Sequence, residues 1–103
     1  MTATTTTSEH RIPTPRGHLY AKRWHAAGPV TAAPIILVHD SLGAVSLWRD
    51  FPAQLATATG RDVIAYDRLG FGLSDANPEQ LTADFVEREV QEGIAPLLGA
   101  LDI

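Results

Sequence analysis

Four consecutive apolar residues, Ile35-Ile36-Leu37-Val38, stand between Pro34 and the polar stretch His39-Asp40-Ser41. The run has no polar alternation. A strand formed there has to be covered on both faces, as strands are inside parallel sheets flanked by helices. A second short apolar run, Val63-Ile64-Ala65-Tyr66, ends at Asp67. The segment between the two runs fits a helix. Asp50 stands at the capping position, Pro52 falls in the tolerant first turn, and Gly60 suits a left-handed closing residue. Phe51 and Leu55, four residues apart, are expected on the side facing the sheet. Strand, helix and strand at this spacing imply a right-handed crossover and a parallel pair.

The flanking segments extend this pattern. Residues 10–12 and 17–24, with Pro13 and Pro15 between them, predict an antiparallel hairpin. Residues 25–34 are small residues with Gly and Pro and are expected to be a loop. Residues 1–9, with their threonine run, predict a disordered lead-in. A second helix is expected from Thr82 or Asp84, where Asp84 and Glu87 have capping-box spacing. Val86, Val90, Ile94, Leu97 and Leu101 would form its apolar stripe, with Gly93 and Pro96 weakening or kinking it. The order is β-β, then β-α-β-α, in a chain of 103 residues, enough for one small domain. A crossover helix at the end should return the chain to another parallel strand, so the expectation is of an incomplete fold.

Charge and composition exclude several classes. With 8 basic and 12 acidic residues, the net charge is −4, which argues against capture of nucleic acid or an anionic membrane. No apolar run approaches the length of a membrane span. The absence of cysteine removes disulfides and cysteine-based metal sites. It fits a reducing compartment, and with no secretory signal at the N-terminus the expected location is cytoplasmic.

In parallel sheets, ligands bind beyond the carboxyl ends of the strands. Two polar loops leave such ends here, His39 to Ser46 and Asp67 to Asp75, and they are the candidates for function. The segment IILVHDSLGAVSLWRDFPAQLATATGRDVIAYDRLGFGLSD resembles the early part of the α/β-hydrolase superfamily. That family has an apolar strand ending in His-Gly, a helix with a nearby tryptophan, and then a strand ending in a motif like Asp67-Arg68-Leu69-Gly70-Phe71-Gly72-Leu73-Ser74, here in its shorter form. The resemblance covers about residues 17–103. It implies an α/β fold in which an N-terminal hairpin precedes β-α-β-α of an α/β-hydrolase sheet.

By that resemblance, the loop after Val38 supplies half of an oxyanion hole through the backbone N–H of Ser41. The second donor comes from the residue after the nucleophile. Ser41 and Leu42 would line the substrate pocket. His39, Asp40, Gly43, Asp67, Arg68, Gly70 and Gly72 would support the loops. Asp40 stands where the family has Gly; aspartate is among the residues that best tolerate positive φ. The implied reaction is nucleophilic attack on an ester-like or related small molecule, with a covalent intermediate and no cofactor or metal.

Plainer roles compete at each position. His39 directly follows the strand and is expected to pin the loop by hydrogen bonds rather than act as a base. Asp67 and Arg68 also suit an acid and its orienting partner, but a turn brace accepting backbone N–H groups is the expected role. Gly70-x-Gly72 lacks the third glycine and the following helix of a nucleotide-binding loop. His10, His18 and His25 are expected on the surface, and Trp48 in packing. None of Ser8, Ser41, Ser46 or Ser74 lies in Gly-x-Ser-x-Gly, and no histidine follows His39. The expectation is therefore a segment without nucleophile or base, inactive alone, and prone to self-associate through an exposed strand edge. A small non-enzymatic binding module, or a half that complements a separate C-terminal chain, stays open.

Overall fold

The computed structural model describes residues 6–28, 32–39, 44–76 and 83–103. Four strands form one mixed sheet in the order β1-β2-β4-β3. They are β1 (Thr6–Thr14), β2 (Gly17–His25), β3 (Ile35–Val38) and β4 (Val63–Asp67). The hairpin forms with a two-residue connection, Thr14 pairing with Gly17. The Thr14 hydroxyl closes this turn, donating to the Gly17 carbonyl at 2.6 Å and accepting the Arg16 N–H at 3.2 Å. β1 starts earlier than the sequence suggests. Thr6–Glu9, assigned to the lead-in, pair with His25–Lys22, because β-branched threonines suit a strand once a partner ladder is present. Residues 1–5 lie outside the described residues.

β2 runs antiparallel to β4, and β3 runs parallel to β4 with Ile35 beside Val63 and Val38 beside Tyr66. The parallel pair read from the two apolar runs is therefore present. All five β4 residues are buried. The expectation of cover on both faces, made for β3, holds only in part, and it is β4 that is covered on both faces. Ile35, Ile36 and Leu37 are half-buried and Val38 is 47% exposed, since β3 is the last strand of the described sheet.

The sheet separates two cores. Strand residues alternate across the pleat. Ile64 and Tyr66 join Ile12, Leu19, Ala21, Leu69 and Leu97 on one face. Val63 and Ala65 join Trp24, Val45 and Ala56 on the other. The second face is covered by α1 (Phe51–Thr59), which follows a single 3₁₀ turn at Val45–Trp48. Gly60 closes α1 in the left-handed region at φ 68°, and its N–H donates to the Ala56 carbonyl at 2.9 Å. Asp50 occupies the cap position without a side-chain capping bond. The buried face is also offset by one residue from expectation. Pro52 and Ala56 are buried and Leu55 packs beside them, while Phe51 is 47% exposed and stacks on Trp48 at 5.9 Å. Two small side chains let the helix approach the sheet closely, which rotates Phe51 outward.

The C-terminal helical segment covers the first face. It comprises α2 (Phe85–Glu89), one π turn at Val90–Ile94, and α3 (Ala95–Ala100). The wider turn lies just before Pro96, whose ring has no N–H to donate and collides with a carbonyl in a regular helix interior. The predicted weakening at Gly93 and Pro96 thus takes the form of a π turn. Asp84 makes no side-chain cap bond. Ile94, Leu97 and Leu101 pack on the core, whereas Val86 and Val90 are 61% and 51% exposed, so only the C-terminal half of the apolar stripe is covered. Arg16 in the hairpin turn pairs with Glu92 at 3.1 Å and ties this segment to the sheet.

Leu97 has no exposed surface and joins the helix to both the hairpin and β4. Leu97→Ala is expected to lower unfolding stability by about 2–5 kcal/mol in urea denaturation followed by circular dichroism.

Candidate functional site

β3 and β4 are parallel, so their carboxyl ends deliver two loops to one edge of the sheet. Of the residues singled out by sequence, His39, Asp67, Arg68, Gly70 and Gly72 are described there. Asp40, Ser41, Leu42 and Gly43 lie outside the described residues.

Asp67 is the last residue of β4 and is 2% exposed. Its carboxylate reaches both loops. Oδ1 accepts the Val45 N–H at 2.5 Å, from the segment that follows β3. Oδ2 accepts the Leu73 N–H at 2.8 Å, from the loop that follows β4. Buried backbone donors need partners, and a charged acceptor makes stronger bonds than a neutral one. Gly72 has φ 51° and passes so close to Asp67 that an added Cβ would overlap the carboxylate. Gly70, at φ 87°, donates its N–H to the Asp75 carbonyl at 2.8 Å.

His39 is 6% exposed. Its Nε2 accepts the Arg68 N–H at 3.0 Å, and its ring packs on Phe71 at 5.1 Å. Since a backbone N–H is the donor, Nε2 carries a lone pair, and the ring bridges the exits of β3 and β4. The Arg68 guanidinium lies 4.7 Å from the centre of the Phe71 ring.

Two further residues of the second loop have roles that the sequence did not suggest. Ser74 donates to the Asp67 carbonyl at 2.5 Å and accepts the Tyr20 N–H at 2.7 Å. Asp75 accepts the His18 N–H at 2.8 Å and the Arg11 guanidinium at 2.7 Å. The His18 N–H and the Arg11 cation hold its carboxyl below the usual carboxylate range. The loop is thereby stitched to the hairpin. The partners are 54 to 64 residues apart, and no local motif carries that information. The other histidines lie at the surface as expected: His18 is exposed, and His10 and His25 are partly exposed.

A cavity lies on each side of these loops. One, of about 450 Å³, is lined by Tyr20, Trp24, Val45, Asp67, Gly72 and Leu73. The other, of about 330 Å³, is a largely apolar groove between Val38, His39, Arg68, Phe85, Val86 and Glu89. Glu89 also accepts the Tyr66 hydroxyl at 3.1 Å. Burial raises the Glu89 carboxyl above its usual range, with the Tyr66 bond and the nearby arginines opposing it only in part. Among the described residues, no group of three or more His, Asp or Glu side chains is arranged to hold a metal ion. No described helix is long and apolar enough to cross a membrane.

No protein-family model matches the chain, and no curated protein matches it in sequence. Solved structures do match it. A predicted CIB-like hydrolase from Thermoplasma acidophilum superposes with a TM-score of 0.70 at 16% identity, over 96% of this chain and 47% of that one. A bromoperoxidase from Bacillus anthracis gives 0.64 at 23% identity, over 95% and 32%. The Cif epoxide hydrolase from Acinetobacter nosocomialis gives 0.52 at 23% identity, over 68% and 20%. These are α/β-hydrolase-fold proteins, and the chain has part of that fold. It spans less than half the length of each of these three.

A buried carboxyl with a raised titration point binds its proton more tightly in the folded than in the unfolded chain. Stability from Glu89 is therefore greatest in acid and declines as pH rises above about 4.5, its unperturbed value. Glu89→Gln is expected to flatten that decline and to raise the melting temperature at pH 7, measured by thermal unfolding from pH 4 to pH 8.

Proposed function

We propose that residues 17–103 form the N-terminal part of an α/β-fold hydrolase acting on an ester-like or related small molecule. In this reading the loop after β3 supplies one oxyanion-hole donor, the backbone N–H of Ser41, with Leu42 at the pocket wall. The observation that carries it is the joint anchoring of the two strand-end loops. Asp67 binds Val45 and Leu73 at once, and His39 binds Arg68. An oxyanion hole works by holding donors fixed before charge develops, so a loop of this kind needs rigid anchors at its ends. His39 and Val45 are such anchors on either side of Asp40–Gly43.

The nucleophile and base are assigned to a segment outside this sequence, since no Gly-x-Ser-x-Gly and no late histidine occur within it. The 103-residue chain alone is accordingly assigned no catalytic turnover. A cytoplasmic location belongs to the same proposal and is supported by the absence of cysteine. The test is substitution at Ser41 in an enzyme that carries this segment together with a downstream Gly-x-Ser-x-Gly. Ser41→Pro removes the N–H and is expected to lower kcat for p-nitrophenyl butyrate by about 100- to 1000-fold, with Ser41→Ala close to the parent. Full activity in Ser41→Pro rejects the assignment.

The proposal extends to association of the chain with itself. β3 ends the described sheet, and Val38 lies beside exposed Phe85, Val86 and Val90. An apolar edge strand offers unpaired backbone groups to another chain. Size-exclusion chromatography of the 103-residue chain is expected to give oligomers that Val38→Lys converts to monomer. A concentration-independent monomer of the parent chain rejects this.

A further inference from the structure

The end of the β1–β2 ladder remote from the hairpin turn gathers polar side chains on one face. Ser8 pairs with Arg23, His10 with Ala21 and Thr6 with His25, so Ser8, His10, Arg23 and His25 project from the same side of the pleat. Asp62, immediately before β4, reaches the group from the neighbouring strand. Ser8 Oγ is 2.8 Å from His25 Nε2 and 2.9 Å from His10 Nε2. Across the His25 ring, Nδ1 is 3.6 Å from Asp62 Oδ2.

The proton positions follow from counting. A hydroxyl has one hydrogen, so it donates to one imidazole and accepts from the other. Asp62 decides which. It is 7% exposed, accepts the Ala26 N–H at 2.9 Å through Oδ1, and its Oδ2 is held by Arg23 Nε at 2.9 Å and Nη2 at 2.8 Å, so the carboxylate is fixed in place with Arg23 as its counter-ion. A carboxylate on the Nδ1 side of the ring favours the tautomer with the proton on that nitrogen. Nε2 then offers its lone pair to the Ser8 hydroxyl, and His10 donates to Oγ from the other side. Serine and imidazole are within hydrogen-bond reach, and the carboxylate stands 3.6 Å beyond the ring as an electrostatic neighbour rather than a hydrogen-bond partner. The site is open to solvent: the His25 side chain is 41% exposed and Ser8 is half-buried.

We propose that Ser8 is an activated nucleophile that takes acyl groups from small donors with good leaving groups, aryl esters or acyl thioesters. Ser8 Oγ attacks the carbonyl carbon and its hydrogen passes to His25 Nε2. The bond to the leaving group breaks, the arylate or thiolate departs with the electron pair, and His25 returns the proton to it or to water. The product is one ester on Ser8. Ser8 lies within a paired strand, and among the described residues no turn of converging backbone N–H groups surrounds it. The donor's leaving group must supply the driving force, and the alkyl ester formed can release its acyl group only by expelling the Ser8 alkoxide, a poor leaving group. The site uses no residue of the strand-end loops and does not depend on the hydrolase reading.

The test is incubation of the full chain with p-nitrophenyl acetate, followed by peptide mass spectrometry. One acetyl group is expected on the peptide containing Ser8, absent in Ser8→Ala. His25→Gln can still hydrogen-bond Ser8 but cannot take its proton. It is expected to slow acetylation about 100-fold with an unchanged circular dichroism spectrum, which a purely structural role for His25 would not produce. Acetyl confined to Lys22 or the terminal amine, or His25→Gln reacting at the parent rate, overturns the proposal.

Discussion

A single buried carboxylate ties together the two loops at the carboxyl edge of the β3–β4 pair. Asp67 ends the central strand, and its two oxygens take backbone N–H groups from the loops on either side of it. An ion in the interior is tolerated only when its lone pairs are satisfied, and here the backbone itself satisfies them. The arrangement reverses the usual dependence of loops on strands. β4 is fully buried between two cores, so the carboxylate at its end has little freedom, and both loops inherit that fixity. The His39–Arg68 bond and the Ser74–Tyr20 bond extend the same frame outward, to β3 on one side and to β2 on the other.

The strands and helices were legible because their signals are local. The runs Ile35–Val38 and Val63–Tyr66 carry their own evidence of burial, and Gly60 marks the end of α1. What escaped notice depends on surfaces far away in sequence. The stripe through Val86 and Val90 has helical spacing, yet those residues line an open groove beside the end of β3 rather than a closed core. The face of α1 turned by one residue because Pro52 and Ala56 fit closer to the sheet than Phe51 and Leu55, a matter of shape rather than of hydrophobic pattern. Thr6 to Glu9 read as polar filler until β2 gave them a ladder. Nothing around Ser74 and Asp75 shows that they brace the hairpin, since their partners come from β1 and β2.

The two faces of the sheet also differ in completeness. On one, α1 and the 3₁₀ turn close a core that includes Trp24, Val45 and Ala56. On the other, the C-terminal helical segment is anchored at Leu97 and leaves an apolar groove toward the carboxyl end of β3. On the margin of that groove Glu89 accepts the buried Tyr66 hydroxyl, and burial shifts both groups toward their protonated forms.

The fit between Gly72 and Asp67 has a consequence for how such a sequence can change over time. No space separates the glycine from the carboxylate, and the carboxylate is also what the two loops bind. A side chain at position 72 displaces the acid, while a shorter residue at 67 frees room at 72 and strands two N–H groups. Neither step is open alone. Substitution at these two positions is coupled, and a lineage leaving this arrangement has to alter both residues and re-anchor both loops together.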